Sequence, residues 1–260
     1  MTTASKGKDY RAHVGPPERY DLMAAIQFNL LTGLALREDH YLLDIGCGSL
    51  RAGRLFIPYL LPGHYFGIEP EEWAVQEGIR NELGEDAVRI KRPTFSYDSN
   101  FTLSVFGQTF DFIMAQSIFS HAYQSQIRRC LSQAKAVLKP AGVFIATYLA
   151  GNENYTGDEW VYPGCVKYTP DFMIGLAAEA GLACQPFDWY HPGDQTWLLL
   201  HHPDYQVAVP SQTFDERILD LEQRLQLCRE HVDRLEHHPY VRVGLAIFRS
   251  GRRFLRRRNA

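Results

Sequence analysis

Tyr41-Leu-Leu-Asp-Ile-Gly-Cys-Gly-Ser-Leu-Arg-Ala-Gly53 decides how the rest of the chain is read. An apolar run enters a glycine-rich turn, and the residues after it favour a helix. Gly46 and Gly48 let the backbone turn sharply and let a ligand approach the helix end with no Cβ in the way. A dinucleotide-binding loop asks for a further glycine at position 51, but Arg51 stands there and the next glycine is Gly53. Asp44, in the strand just before the turn, would repel a phosphate and suits a ligand with positive charge. A second apolar run, Tyr65-Phe-Gly-Ile-Glu69, puts a carboxylate about twenty residues beyond the turn, where it can accept both hydroxyls of a ribose. Together these residues describe a site for an adenosine whose other end is cationic.

Outward from this loop, short apolar runs alternate with helix-like stretches, the pattern of a mostly parallel sheet with helices on both faces. Strands are expected at 41–45, 64–68, 87–90, 110–115 and 143–148, with helices near 50–60, 70–82 and 121–138. Another helix is well punctuated: Thr169 at its N-cap, Pro170 at the first helical position, Asp171 complementing the dipole and Gly181 after its end. The last two strands, 182–190 and 196–201, are joined by His191-Pro192-Gly193-Asp194, a connection so short that the pair must be antiparallel. The expected fold is α/β, Rossmann-like and doubly wound, with seven strands and a final antiparallel one. The expected domain spans 36–205, behind an N-terminal lid segment at 1–35.

Composition is that of an ordinary globular chain, with 45% apolar and 22% charged residues among 260. The formal net charge of −3 does not suit polyanion binding. Five widely spaced cysteines with no CxxC pair argue for a reducing compartment, against a disulfide framework and against a zinc site. The polar N-terminus and the lack of a long apolar run lead to the expectation of a cytoplasmic protein.

The sequence resembles the class I S-adenosylmethionine-dependent methyltransferases. The matching pieces are LLDIGCGSLRAG at 42–53, YFGIEP at 65–70, FDFIMAQSIFSHA at 110–122 and LKPAGVFIATY at 138–148. The resemblance implies S-adenosyl-L-methionine as cofactor. It implies that Asp44, Gly46, Cys47 and Gly48 surround its amino-acid part and that Glu69 holds the ribose. Gln116 and Ser117, past the fourth strand, would lie beside the methionine end, and a polar residue in 96–100 would meet the adenine. A nucleotide-binding oxidoreductase and a non-catalytic methyltransferase-like scaffold are the alternatives.

Methyl transfer asks the protein to align an acceptor and, for a hydroxyl, to remove a proton. His121, after the fourth strand, and His191, after the sixth, are the candidate bases. No HxH, HxxxH or acidic cluster suggests a metal, so none is expected. The long irregular segment from Gly151 to Lys167 carries Glu153, Tyr155, Asp158, Trp160 and Tyr162, a mixture suited to a small-molecule or saccharide acceptor. O-methylation is the expected reaction. Nucleic acid is not expected as a partner, because the domain is acidic and no Asn/Asp-Pro-Pro-Tyr/Phe motif follows the fourth strand.

Beyond Pro210 the character changes. Ile218, Leu221, Leu225, Cys228, Val232 and Leu235 alternate spacings of three and four, a short coiled-coil seam expected within 212–238 that would pair chains into a homo-oligomer. The stretch 239–260 is basic: seven arginines and no acid lie in its last twenty residues. On a helix, Arg242, Arg249, Arg252, Arg253, Arg256 and Arg257 fall opposite Val243, Ile247, Phe248, Phe254 and Leu255, an arrangement suited to peripheral contact with an anionic membrane.

Overall fold

The computed structural model describes residues 9–209, 225–226 and 229–230. The chain divides into two units, Met1–Pro210 and Ser211–Ala260. In the second, Leu225, Gln226, Arg229 and Glu230 are helical and exposed. The rest of the 218–235 seam, and all of 239–260, lie outside the described residues.

Seven strands build the sheet of the first unit: β1 (Leu42–Ile45), β2 (Tyr65–Ile68), β3 (Thr94–Ser96), β4 (Phe110–Ala115), β5 (Leu138–Tyr148), β6 (Ala183–Phe187) and β7 (Thr196–His201). Their order is β3-β2-β1-β4-β5-β7-β6. The first five run parallel, and β7 alone runs against its neighbours, pairing Tyr148 with Thr196 and Phe187 with Trp197. All four residues of β1 are buried, because a parallel sheet is covered on both faces.

Helices α1 (Tyr20–Gly33), α2 (Gly53–Tyr59), α3 (Glu72–Gly78), α4 (Glu85–Lys91), α5 (Gln124–Val137) and α6 (Pro170–Glu179) cover the sheet. α5 shows why: Ile127, Cys130, Leu131, Ala134 and Val137 recur at three- and four-residue spacing and are the residues it buries. α6 starts as its punctuation requires, with the Thr169 hydroxyl accepting from the Phe172 amide at 3.3 Å.

One strand is not where the sequence pattern put it. Residues 87–90 lie in α4, and the third strand is Thr94–Ser96. Glu85 and Asp86 sit in the first turn of α4, and Arg89 and Lys91 in its last, so the charges complement a helix dipole. Pro93 then separates the helix from a strand only three residues long. The 121–138 helix also begins later, at Gln124, after a turn that brings His121 onto the site.

Candidate active site

The carboxyl ends of β1, β2, β4 and β5 lie on one edge of the sheet, where open α/β folds bind ligands. The loop after β1 is wound through three alternate left-handed residues, Gly46 (φ 72°), Gly48 (φ 53°) and Leu50 (φ 60°). The Ile118 side chain occupies the place of a Cβ on Gly46, and the Val14 side chain that of a Cβ on Gly48. Leu50 is fully buried and holds its conformation against the steric preference of a branched side chain.

Asp44 is 4% exposed and accepts a 2.8 Å hydrogen bond from the Tyr65 hydroxyl. Burial pushes its pKa up to about 7, although Tyr65 and the Arg51 charge pull the other way. Glu69 is also buried; its two oxygens accept from the amides of Gly48 (2.9 Å) and Glu71 (3.0 Å). Each oxygen keeps a free lone pair, so the carboxylate is oriented while still able to accept two hydroxyls. Burial raises its pKa too, with the two amides opposing the shift. The Cys47 side chain packs beneath the loop against Gly67, which leaves its backbone as the part facing a ligand. Its thiol is pushed well above the usual range by burial.

Gln116 and Ser117 follow β4 directly. The Ser117 amide donates to Thr147 Oγ1 at 2.7 Å, and its hydroxyl accepts from Gln195 Nε2 at 2.8 Å. Gln116 accepts from the Arg51 guanidinium and stands 3.0 Å from His191 Nε2. Burial, then the Arg51 and Arg19 charges, lower the His191 pKa to about 3, so the ring is neutral. Its Nδ1 accepts from the amides of Gly193 (3.0 Å) and Gln195 (3.4 Å), and the Gln116 atom facing its Nε2 is the amide nitrogen, a donor, because Gln116 Oε1 is taken by Arg51. That ring has no spare lone pair for a substrate proton.

His121 is held differently. Its Nδ1 lies 2.8 Å from two carbonyl oxygens, of Val161 and of Gly164. Two acceptors require a proton on Nδ1, which leaves the lone pair on Nε2. The ring stands between Trp160 (centroids 5.6 Å apart) and Tyr162 (5.2 Å), both nearly half exposed. The 151–167 segment is thus anchored rather than loose: Val161 and Val166 donate to the His121 and Ser120 carbonyls. The structure therefore sets Gln116, Ser117 and His191 together near the glycine loop, and His121, after β4, against the segment that follows β5. Residues 9–19 cross above the glycine loop, joined to it through Val14 and to the later segment by the Tyr162 hydroxyl donating to the His13 carbonyl at 2.6 Å.

Arg51 stands out in the sequence only as a departure from a glycine pattern, and its place becomes clear in the fold. Its guanidinium donates to the Val14 carbonyl and to Gln116, and its Nε is sealed from solvent without an acceptor. Burial lowers its pKa to about 10, still charged at neutral pH. A buried carboxyl, Asp44, and a buried guanidinium thus flank one loop, each costly to leave uncompensated. An ammonium beside Asp44 and a carboxylate beside Arg51 would satisfy both, and with Glu69 poised for two hydroxyls the donor set fits S-adenosyl-L-methionine.

Comparisons with known proteins agree. Residues 43–144 match the family described as a methyltransferase domain. The fold is similar to that of DhpI in complex with S-adenosylhomocysteine, at 15% identity over 75% of this chain and 90% of that one, TM-score 0.53. It is also similar to magnesium protoporphyrin IX methyltransferase from Synechocystis PCC 6803 with bound S-adenosylhomocysteine (12% identity, 76% and 90% covered, TM-score 0.53). The glycopeptide N-methyltransferase MtfA, complexed with S-adenosylhomocysteine, is a third (13% identity, 77% and 95% covered, TM-score 0.52).

Proposed function

We propose that the chain is a class I S-adenosylmethionine-dependent methyltransferase, residues 43–144 of which match a methyltransferase domain, and that it methylates a hydroxyl on a small ring-bearing molecule or a saccharide, with His121 as the base. The observation that carries this reading is the tautomer of His121, whose Nδ1 is committed to the Val161 and Gly164 carbonyls.

S-adenosyl-L-methionine supplies a methyl group already activated on a sulfonium. What remains for the protein is alignment and one proton. Glu69 would accept from the ribose hydroxyls, and Asp44 would meet the ammonium. Gly46, the Cys47 backbone, Gly48, Gln116 and Ser117 would line the amino-acid end. Asp98, whose Oδ1 accepts from the Asn100 and Thr102 amides, is the residue of the 96–100 stretch best held to meet adenine. His191 would orient Gln116, in keeping with its occupied ring nitrogens. Trp160 and Tyr162 offer faces on which an acceptor ring can stack, with the Nε2 of His121 between them to take the hydroxyl proton. A groove of about 600 Å³ opens along the same segment, with Asn152, Glu153, Asn154, Tyr155 and Lys167 among its lining. Its amides and charges suit the hydroxyls of a saccharide. The alternatives fit less well: an oxidoreductase would set its pyrophosphate against Asp44, and a decayed scaffold would not need to keep both buried charges.

No helix among the described residues is long and apolar enough to cross a membrane. The pattern of arginines against apolar residues in 239–260 supports a cytoplasmic enzyme held at an anionic membrane face, with 218–235 pairing two chains.

The experiment is a methyl-transfer screen over sugars and phenols, repeated with His121→Asn. Transfer to a hydroxyl that survives undiminished in that variant overturns the assignment of the base. No transfer to any hydroxyl acceptor, with S-adenosylhomocysteine still bound, favours the scaffold.

A further inference from the structure

Arg51 has a second attachment that cofactor binding alone does not explain. One terminal nitrogen donates to the Val14 carbonyl, in the segment that crosses above the glycine loop. The same segment is fastened elsewhere too, with Tyr10 donating to Glu82 at 2.9 Å and Arg19 to the Pro192 carbonyl. Arg11 pairs with Glu82 at 2.6 Å, the His13 ring stacks edgewise on Trp73 at 4.8 Å, and the His13 carbonyl accepts from Tyr162. Closing the segment therefore encloses the guanidinium. The two acceptors it finds there, Val14 and Gln116, are neutral, and Nε finds none. An enclosed cation with an unmet donor destabilises the closed arrangement relative to one in which water reaches it.

We propose that Arg51 couples the N-terminal segment to the carboxylate of the cofactor's amino-acid end, so that residues 9–19 close stably only over a ligand that carries this carboxylate. The inference rests on the methyltransferase reading and adds a requirement to it. A carboxylate gives the guanidinium a charged acceptor and balances its charge, which removes the penalty of enclosure. The Val14 bond then holds the segment down, and with it Tyr162, one wall of the His121 pocket. Acceptor-side order is thereby made conditional on a complete cofactor. A nucleoside that keeps the adenosine and thioether but lacks the amino acid would still satisfy Glu69 and bind, yet leave the segment opening.

The full-length protein tests this with two ligands, S-adenosylhomocysteine and 5′-methylthioadenosine. At saturation, amide hydrogen exchange over residues 9–19 should be slowed at least about tenfold more by the first than by the second, the difference a charge-assisted hydrogen bond makes. In Arg51→Gln that difference should vanish. Calorimetry should then show affinity for S-adenosylhomocysteine falling by about 10–100-fold, with that for methylthioadenosine changed less than about threefold. Arg51→Lys should restore part of the selectivity, since it keeps the charge and loses the fork. Equal protection by both ligands in the wild type overturns the coupling, whatever the variants do. Equal weakening of both ligands in Arg51→Gln overturns the carboxylate contact. Failure of the wild type to bind either ligand overturns the cofactor reading itself.

Discussion

The amide of Gly48 donates to Glu69 Oε2 at 2.9 Å, so the glycine turn and the end of the second strand are one unit. The bond aims the carboxylate and anchors the loop together. Glu69→Ala should weaken S-adenosylhomocysteine binding by about 1.5–3 kcal/mol, through the loss of charge-assisted acceptors and of loop order. Isothermal titration calorimetry measures this, and unchanged affinity would remove Glu69 from the site.

Asp44 supplies a pH dependence whose sign is fixed. Its pKa is raised to about 7 by burial, so the neutral form is favoured in the folded protein. Its contribution to stability is full below the unfolded carboxylate pKa and is lost as pH rises towards 7. Ligand binding runs the other way, because an ammonium needs the ionised form. Affinity for S-adenosylhomocysteine should rise from pH 5.5 to 7.5, by up to about tenfold per unit below the pKa. Asp44→Asn should bind more weakly, with a flatter profile. A wild-type profile no steeper than that of Asp44→Asn would contradict the role.

His121→Asn should lower kcat by about 10²–10⁴-fold and leave the affinity for S-adenosylhomocysteine within twofold or so. His191→Asn should act differently, disturbing Gln116 and therefore cofactor binding. The two variants, compared by calorimetry and by turnover, separate proton removal from cofactor positioning.

Leu50 reverses the usual order of substitutions. It is fully buried at φ 60°, so Leu50→Ala should cost about 2–5 kcal/mol of stability through the cavity left behind. Leu50→Gly removes still more side chain but relieves the left-handed backbone. It should be more stable than Leu50→Ala by roughly 1 kcal/mol, where an ordinary helical site would give the opposite result. Chemical denaturation of the pair decides.

Deletion of 239–260 should abolish sedimentation with anionic liposomes at low salt and leave cofactor binding intact. Neutral liposomes should retain neither form. If the full-length protein pellets no better than the truncation, the membrane proposal fails.

How much of this was legible in the sequence depended on the range of the forces involved. The loop at 42–53 and the helix punctuated by Thr169 and Pro170 are local devices, and the structure uses them as read. The third strand was misplaced because Val88 and Ile90 alternate like a strand, while the charges at each end of 85–91 fix a helix and Ile90 is left largely exposed. The placement of Asp44, Glu69 and the glycines at a strand, a strand end and a turn could be read because apolar runs and glycine-rich turns are local signals. The hydrogen bonding of the His121 and His191 rings could not. It is set by carbonyls and amides some distance along the chain or across a turn, and only folding brings those within reach. Arg51 lay between the two cases, visible as an anomaly whose meaning required Val14 and Gln116 beside it.

The two borders of the sheet bear on how copies of this enzyme can meet. At one border β3 is three residues long and follows Pro93; at the other, β6 carries Pro186 in its middle, where no N–H is available. Neither offers an uninterrupted ladder onto which a second molecule could add a strand. Edge-to-edge growth, whether as an orderly dimer or as the start of a fibril, is closed to this domain. Self-association of the domain is thereby left to its helices and loops.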